Sequence, residues 1–540
     1  MKDISSTASF IKFYLNNYIY VDKTKYIKDL IKLERVFISR PRRFGKSLTL
    51  DTIATLFETG VEPYFKGTWI YDKWTEPTYP VLRLNFLNFD KNSIEKFNNK
   101  LNSKITEFAE LNHVTSYKEK EEAEDSIDHL LEQLRLENRQ IVILIDEYDC
   151  QMTANINNET LYKQFQEKIK SFYANLKDKL AIKFLGITGV TRLKDVEIFS
   201  IGSDINDITN DSAYSQMIGF TRDEIKKFYI DYLKLAASYE NNCSVDEVTD
   251  TQIESLLDRL AKNYDGYCFD EFYKKKVFST WSVNKFFQSV VSNKFVYFGE
   301  YWYDNGGLPS ILVNYLKTHE LNIFEYLDKD KFLKVSSDDF KNPTALTTIN
   351  QNVLMCQTGY LTLRSDLNKT STVALGIPNG EIYKALNRLL ANNIFKGNTD
   401  ITDDYGRSLL EVGTVDDIIN LFNSALNSVS YDNYPIVSES SVQNMLKLYL
   451  LGAHQKVLSE VHEAKGRADL VVNTDNRRIV FEFKYAKNDT EAKAKLLDAV
   501  EQIKTRDYGN IVPKKNELLR IAAVFNADPK VRAFTEYQKV

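Results

Sequence analysis

Gly45, Lys46 and Ser47 are the first residues whose types and spacing could do chemistry. They follow a short apolar run at residues 36–38 and precede a stretch with the apolar spacing of a helix. A turn between a strand and a helix points the free N–H groups of the helix N-terminus at an anion, so this layout predicts a phosphate-binding P-loop. Lys46 would reach the β- and γ-phosphates of a nucleotide, and the Ser47 hydroxyl would bind Mg²⁺.

This loop departs from the usual pattern G-x-x-x-x-G-K-[ST]. Arg40 stands where the first glycine is expected, and Pro41 has no N–H group to offer a phosphate. One interpretation is an ordinary strand–turn–helix with a basic surface turn. The other is that the guanidinium groups of Arg40, Arg42 and Arg43 replace part of the backbone cradle, because a guanidinium matches phosphate geometry.

A second pair of polar residues, Asp146 and Glu147, ends the apolar run at residues 141–145. Such a run predicts a strand that is buried on both faces of a parallel sheet, and ligands bind at the carboxyl ends of these strands. Asp146 would hold Mg²⁺, and Glu147 would polarise the attacking water. Without the P-loop, a buried strand that ends in an exposed acidic pair would explain these residues better.

Another apolar run, at residues 182–187, ends at Thr188 and is followed by Arg192. Thr188 is a candidate for sensing the γ-phosphate. Arg192 could contact a phosphate in cis or, in a homo-oligomer, in trans; a surface or ion-paired arginine is an equally good interpretation. The residues that we place in the nucleotide site are Arg42, Arg43, Gly45, Lys46, Ser47, Leu48, Asp146, Thr188 and Arg192.

The third candidate site is near the C-terminus. Residues 478–484 predict a strand on which Glu482 and Lys484 share one face, and Asp469 would lie beside Glu482 if its own strand pairs with this one. Two carboxylates would hold Mg²⁺ or Mn²⁺, and Lys484 would orient a metal-activated water, as in a metal-dependent nuclease. The spacing alone is common, so an inactive core that only binds DNA or protein is the alternative.

Five motifs in order resemble the AAA-ATPase-like family of bacterial proteins. The motifs are YVDKT at residues 20–24, RPRRFGKS at 40–47, YPV at 79–81, LIDEYD at 144–149 and TGV at 188–190. The resemblance covers residues 10–230 and implies a P-loop ATPase domain that is followed by a PD-(D/E)XK nuclease domain. In that family the loop usually reads RPRRFGKS, which makes Arg40 a family feature.

The C-terminal region is similar to the PD-(D/E)XK core in its predicted order of helix, strand, strand, helix and strand. Asp469, Glu482 and Lys484 match the D…(D/E)-x-K pattern of that superfamily. The same resemblance implies that Glu439 supplies an additional acid and that Gln502 is the glutamine that some members place on the following helix.

An α/β scaffold must position these residues. We predict a P-loop NTPase parallel sheet with flanking helices, a helical middle region and a C-terminal α/β restriction-endonuclease-like domain. The predicted divisions are an AAA-ATPase-like P-loop domain at residues 1–225, a helical lid or linker at 226–345, a connecting α/β region at 346–433 and a nuclease-like domain at 434–540.

The composition is that of a globular protein, with 43% hydrophobic and 27% charged residues in a chain of 540. The net charge of −5 does not indicate nucleic-acid binding over the whole surface, although residues 461–540 carry 16 Lys and Arg against 12 Asp and Glu. The four scattered cysteines indicate neither a zinc site nor a disulfide framework. The sequence shows neither the apolar core of a signal peptide nor an apolar run long enough to cross a membrane. We therefore expect a cytoplasmic protein.

The sequence therefore predicts an ATP-binding and ATP-hydrolysing protein that is coupled to a Mg²⁺-dependent nuclease acting on DNA. The alternative, from another class, is a nucleotide-switched binding protein whose nuclease-like domain is inactive.

Overall fold

The computed structural model describes residues 1–193, 204–304, 310–316, 319, 323–343, 345–395, 405–453, 455–463, 466–509 and 517–540. The chain divides into two compact units. The first unit comprises Met1–His319 and Phe332–Ile382, and the second comprises Glu320–Lys331 and Tyr383–Val540. The finer division into four domains stays a prediction.

A five-stranded parallel sheet lies at the centre of the first unit. Its strands are β1 (Arg35–Ser39), β2 (Val81–Asn85), β3 (Ile141–Asp146), β4 (Ile182–Gly189) and β5 (Asn206–Asp207), in the order β2-β3-β4-β1-β5. Every residue of β1 and β3 is buried, in agreement with the apolar runs at residues 36–38 and 141–145. The predicted parallel sheet is confirmed, and its order makes β4 the neighbour of both β1 and β3.

Helices flank this sheet. They are α1 (Phe10–Leu15), α2 (Thr24–Leu30), α3 (Lys46–Thr59), α4 (Ile94–Leu111), α5 (Ala123–Leu136), α6 (Cys150–Ala154) and α7 (Glu159–Ala174). Helices α4 and α5 lie between β2 and β3 along the chain. The Ser93 side chain caps α4 by accepting a hydrogen bond from the Lys96 N–H.

The middle of the chain is mainly helical, as predicted. Its helices are α8 (Arg222–Phe228), α9 (Ile230–Asn241), α10 (Asp250–Tyr264), α11 (Thr280–Asn293), α12 (Tyr301–Asp304), α13 (Ser310–Leu316), α14 (Ser337–Lys341) and α15 (Gln351–Gln357). The antiparallel strands β6 (Leu333–Ser336), β7 (Thr362–Leu363) and β8 (Thr372–Gly376) form a small sheet in the order β6-β8-β7. Ile19 and Val21 are buried in the core of α8–α11, and residues 19–21 form no strand.

From residue 380 onward the helices are α16 (Gly380–Ile394), α17 (Tyr405–Val412), α18 (Val415–Asn427), α19 (Glu439–Gly452) and α20 (Asp489–Arg506). The second unit contains a mixed sheet in the order β13-β12-β11-β10-β9. Its strands are β9 (Lys456–Glu463), β10 (Gly466–Asn473), β11 (Arg477–Ala486), β12 (Glu517–Asn526) and β13 (Ala533–Lys539).

The predicted order of helix, strand, strand, helix and strand needs one correction. Strands β9 and β13 are additional, and they pair antiparallel with β10 and β12 at the two edges of the sheet. Charged and polar residues recur along both sequences, which is typical of edge strands and hides them from a search for apolar runs.

Candidate functional sites

The loop between β1 and α3 turns through two residues with left-handed backbone conformations. Arg43 has a φ of 68° and Gly45 has a φ of 104°. A Cβ atom added to Gly45 would have no neighbour within 4 Å, so glycine is favoured here by backbone conformation and not by space. Lys46 then begins α3, and the N-terminus of that helix faces the loop, as predicted for an anion site.

The Asp146 carboxylate is hydrogen-bonded to two other predicted residues. The Ser47 hydroxyl donates a hydrogen bond of 2.6 Å to Asp146 Oδ2, and the Thr188 hydroxyl donates one of 2.5 Å to Asp146 Oδ1. The parallel register of β1, β3 and β4 brings these side chains to one edge of the sheet. A buried carboxylate beside a serine hydroxyl is an oxygen-only donor set, and such a set fits Mg²⁺.

Lys46 lies between the loop and Glu147. Its ammonium donates hydrogen bonds of 2.9 Å to the Arg40 carbonyl and 3.3 Å to the Pro41 carbonyl, and it lies 3.7 Å from Glu147 Oε1. Burial raises the pKa of Glu147, while the positive charge of Lys46 opposes the shift. The predicted phosphate-binding lysine and the predicted base are therefore adjacent.

A cavity of about 480 Å³ opens above this loop. The predicted residues that line it are Arg42, Arg43, Gly45, Lys46, Ser47, Leu48 and Glu147. The start of α11 forms part of its wall: the Thr280 hydroxyl donates a 2.9 Å hydrogen bond to the Arg43 carbonyl, and the Arg43 guanidinium lies 4.1 Å from the centre of the Trp281 ring. Nothing in the local sequence around Thr280 and Trp281 indicates this role, because the contact joins segments more than 200 residues apart.

The structure does not place the Arg40 guanidinium in the cavity, contrary to the suggestion that it cradles phosphate. The side chain is buried, donates to the Ser39 carbonyl at 2.9 Å and to the Thr209 carbonyl at 2.5 Å, and lies 4.1 Å from the centre of the Phe269 ring. Burial lowers its pKa to about 9. Arg40 therefore stabilises the loop through hydrogen bonds to the Ser39 and Thr209 carbonyls, and not by facing the cavity.

Arg192 is also absent from the residues that line the cavity. Its guanidinium forms an ion pair with Asp207, at the end of the edge strand β5, and donates a hydrogen bond to the Lys341 carbonyl. A contact of Arg192 with a phosphate of the same chain therefore stays a prediction. Its role in trans stays a prediction.

Asp149 explains the end of the LIDEYD motif. Its carboxylate is 1% exposed and accepts hydrogen bonds from the Thr191 N–H at 2.6 Å, the Thr191 hydroxyl at 2.5 Å and the Val190 N–H at 3.2 Å. These bonds join the chain after β3 to the chain after β4. Asp149 therefore anchors the segment that follows Glu147, a role that sequence reasoning did not assign.

In the second unit, the pairing of β10 with β11 produces the predicted C-terminal site. Leu470 pairs with Phe481, which places Asp469 beside Glu482. The Phe483 N–H donates a 2.8 Å hydrogen bond to Asp469 Oδ2, and the Lys484 ammonium lies 2.7 Å from Glu482 Oε1.

Glu439, from the first turn of α19, joins this group. Its Oε1 lies 3.5 Å from the Lys484 ammonium. The structure thus brings together four of the five residues that we associated with the nuclease site, and Gln502 is the fifth.

Glu482 is the most electrostatically unusual residue of this group. It is 0% exposed, and burial, followed by the charge of Asp469, raises its pKa to about 7. Burial opposes the charge on Lys484, but the hydrogen bond and charge of Glu482 raise the pKa of Lys484 overall. Glu482 Oε2 has no hydrogen-bond partner among the described residues.

These features fit a divalent cation bound by oxygen. A cation beside Asp469 and Glu482 would offset the repulsion between the carboxylates and would satisfy the unpaired oxygen. Within the described part of the chain, no group of three or more His, Cys, Asp and Glu side chains is arranged to hold a metal ion, so the fit rests on these two carboxylates.

Gln502 lies on α20 and donates a 3.3 Å hydrogen bond to the Tyr508 hydroxyl, which also accepts a 2.8 Å bond from Arg506 Nη1. Arg506 approaches the start of β10 so closely that a Cβ atom on Gly466 would lie 2.6 Å from its Cδ. The bond to Tyr508 raises the pKa of Arg506, and the charges of Glu482 and Asp469 add to the effect. Arg506 was not among the predicted site residues.

No helix in the described ranges is long and apolar enough to cross a membrane.

Comparison with known proteins identifies a family model for each end of the chain. Residues 5–199 match the family model described as predicted AAA-ATPase, and residues 437–534 match the model of the PD-(D/E)XK nuclease superfamily. An uncharacterized protein in the vnfD 5'region of Azotobacter chroococcum mcd 1 is 26% identical over 531 residues, which cover 95% of this chain and 94% of that protein. The crystal structure of Cdc6p from Pyrobaculum aerophilum is similar at 11% identity and a TM-score of 0.25, over 72% of this chain and 99% of that one.

The resemblances inferred from the motifs are therefore confirmed by the family models: an AAA-ATPase-like domain stands at the N-terminal end of this chain and a PD-(D/E)XK nuclease superfamily domain at its C-terminal end.

Proposed function

We propose that the protein binds and hydrolyses ATP in its first unit and cleaves DNA in its second, with a divalent cation at each site. The observation that carries the proposal is a pair of adjacent carboxylates in each unit, one of them buried: buried Asp146 beside half-buried Glu147, and buried Glu482 beside half-buried Asp469. Buried carboxylates lower stability unless they are compensated, and perturbed pKa values are typical of functional sites.

In the nucleotide site, Lys46 would bind the β- and γ-phosphates, while Arg42 and Arg43 line the same cavity with positive charge. Ser47 and Asp146 would hold Mg²⁺, which supplies charge neutralisation on the phosphates. Glu147 would orient the attacking water. Its raised pKa favours acceptance of a proton from that water.

In the nuclease site, Asp469 and Glu482 would hold Mg²⁺ or Mn²⁺. The bound ion supplies Lewis-acid activation of water and of the scissile phosphate. Lys484, held between Glu482 and Glu439, directs its ammonium toward the same place and would orient the water or stabilise charge on the phosphate.

The proposal assigns ATP turnover to residues 1–225 and cleavage to residues 434–540, joined by the helical lid at 226–345 and the connecting region at 346–433. It also implies a cytoplasmic location in a bacterial cell, where ATP and DNA are both available. Action of Arg192 in trans would require a homo-oligomer.

The test compares Lys46→Ala and Asp469→Ala in the full chain. We expect Lys46→Ala to abolish ATP turnover, and Asp469→Ala to slow cleavage of DNA on the order of 10²-fold or more while ATP turnover is kept. Asp475→Ala is the matched control, because this exposed aspartate lies in the turn that joins the same two strands. Equal cleavage by Asp469→Ala and Asp475→Ala would contradict the nuclease assignment.

One observation favours a second function, that of a nucleotide switch with little turnover. The Lys46 ammonium is held by carbonyls of its own loop, and Pro41 removes an N–H from the cradle. Glu147→Gln distinguishes the two: an ATPase would keep nucleotide binding and lose turnover. Absence of both ATP turnover and DNA cleavage in the wild-type protein, with Mg²⁺ and with Mn²⁺, would support the switch.

A further inference from the structure

The first unit has a second cavity, of about 440 Å³, which shares Phe13, Ile19 and Tyr20 with the lining of the nucleotide cavity. It lies among α1, the segment at residues 18–22, the turn at residues 64–68 and the start of α9. Its aromatic lining includes Phe13, Tyr14, Tyr18, Tyr20, Tyr64 and Phe228. Its volume is in the range of small-molecule sites and accommodates one nucleoside.

The rings of this cavity pack against one another but are not all covered. Tyr14 is 48% exposed, and its ring packs edge-on against Tyr64 at a centroid distance of 5.6 Å. Phe13, which is buried, makes edge contacts with Tyr18 at 6.0 Å and with Tyr20 at 5.8 Å. Exposed rings held in this way are the surfaces on which unstacked nucleobases pack.

Three exposed lysines, Lys2, Lys66 and Lys227, also line the cavity. Within the described residues, none of the three ammonium groups forms an ion pair; that of Lys227 lies 5.0 Å from the centre of the Phe228 ring. These charges are therefore free to bind an anion, although the whole chain has a net charge of −5.

Two acidic residues line the same cavity. The Asp22 carboxylate already has hydrogen-bond partners in the protein. It accepts hydrogen bonds from the Thr24 N–H at 2.9 Å, the Thr24 hydroxyl at 2.6 Å and the Trp69 N–H at 2.6 Å. Asp231 lies in the first turn of α9, where the helix dipole favours a negative charge. The lysines outnumber these acids, so the lining as a whole favours an anionic ligand.

We infer that this cavity binds single-stranded nucleic acid, with one unstacked base against Tyr14 and the neighbouring phosphates on Lys2, Lys66 and Lys227. An aromatic surface beside unpaired lysines is the combination by which proteins hold single strands without sequence preference. A duplex does not fit this chemistry, because its bases are stacked and paired. The inference does not depend on ATP turnover or on cleavage.

The first test measures binding of a fluorescent oligothymidylate to the full chain by anisotropy, in EDTA and without nucleotide. We expect Tyr14→Ala to weaken binding by about 5- to 100-fold, because one base loses its stacking partner. Tyr297→Ala is the matched control, since this tyrosine is 56% exposed and lies outside the cavity. Equal affinity of the two variants would overturn the inference.

The double variant Lys66→Ala/Lys227→Ala tests whether the lysine charges bind phosphates. We expect at least about tenfold weaker binding and a salt dependence whose logarithmic slope falls by about 1.4, because two phosphate contacts are lost. Lys118→Ala, at an exposed lysine outside the cavity, should change neither quantity. Asp231→Asn should tighten binding, because it removes the acid that repels phosphate. An unchanged salt slope in the double variant would contradict the site.

A cross-linking experiment locates the bound strand. An oligonucleotide that carries 5-iododeoxyuridine is irradiated with the full chain, and the cross-linked peptides are identified by mass spectrometry. We expect cross-links to Tyr14, Tyr18 or Tyr64. Cross-links confined to residues 437–534, or equal competition by a duplex or by thymidine monophosphate, would overturn the inference.

Discussion

The two candidate catalytic sites differ in how far along the chain their supporting residues lie. In the nuclease site, Asp469, Glu482 and Lys484 come from two neighbouring strands, and the strand register alone brings them together. The P-loop instead depends on distant contacts: the Phe44 ring is 1% exposed and packs on Tyr267, 4.7 Å away between ring centres. One site is therefore local, and the other is assembled by the tertiary structure.

The sites also differ in how their buried acids are compensated. Asp146 accepts hydrogen bonds from the hydroxyls of Ser47 and Thr188, so both of its oxygens have partners. Glu482 has an ion pair with Lys484 at one oxygen and no partner among the described residues at the other. We therefore expect the nuclease site to lower the stability of its unit more than the nucleotide site does.

The largest expected effect concerns Glu482. Its folded-state pKa of about 7 lies above the ordinary 4.5, so its contribution to stability is fully present below pH 4.5 and is lost as the pH rises through about 7. Between pH 5 and pH 8 the loss is roughly 2 to 3 kcal/mol of unfolding free energy. Glu482→Gln removes this titration. Urea unfolding at both pH values, in EDTA, should therefore show the variant gaining stability relative to the wild type as the pH rises.

Glu501→Gln is the control for that measurement, since Glu501 is an exposed glutamate on α20. Its stability should follow the wild-type pH dependence. Parallel pH profiles for the wild type and Glu482→Gln would show that the Glu482 carboxyl is not destabilised by burial, and would remove the contrast between the sites.

An intermediate effect is expected from Gly359→Ala, which tests the distant support of the P-loop. Gly359 has a φ of 90°, and an added Cβ atom would lie 2.8 Å from Pro41 Cβ and 2.9 Å from Trp302 Cζ2. The left-handed backbone alone costs about 1 to 2 kcal/mol with a side chain, and the contact should also displace the loop. We expect about tenfold weaker binding of a fluorescent ATP analogue, with DNA cleavage unchanged.

Gly60→Ala is a matched control, because Gly60 has a φ of 70° but an added Cβ atom would meet nothing within 4 Å. It should lose stability from backbone strain and keep its nucleotide affinity. If both variants bind nucleotide equally well, the contact of Gly359 with Pro41 does not shape the loop.

The smallest expected effect comes from Trp281→Leu. The variant removes the aromatic face beside the Arg43 guanidinium, an interaction of about 0.5 to 2 kcal/mol. Nucleotide affinity should fall by about 2- to 30-fold, as measured by titration with the same analogue. Trp281→Phe keeps an aromatic face, so its nucleotide affinity should fall less. Equal losses of affinity in the two variants would indicate that packing, and not the cation–π contact, positions Arg43.

Much of each site could be predicted because its signals are local. Apolar runs that end in Asp146 and Thr188 predicted buried parallel strands, and alternation along β11 predicted that Glu482 and Lys484 share a face. The edge strand β9 escaped prediction because its polar residues resemble a loop. The orientation of Arg40 was also missed, because the sequence does not show which carbonyls lie beside a buried guanidinium.

The sequence by itself determined which residues could do chemistry, since the motifs around Lys46 and Glu482 contain both the reactive groups and the strand or helix that presents them. Only the tertiary structure decided which of the predicted arginines face the nucleotide cavity. Arg43 lines it beside Trp281, whereas Arg192 is paired with Asp207. The physical reason is that a long charged side chain takes the partner that the fold places nearest, and that partner comes from a distant part of the chain.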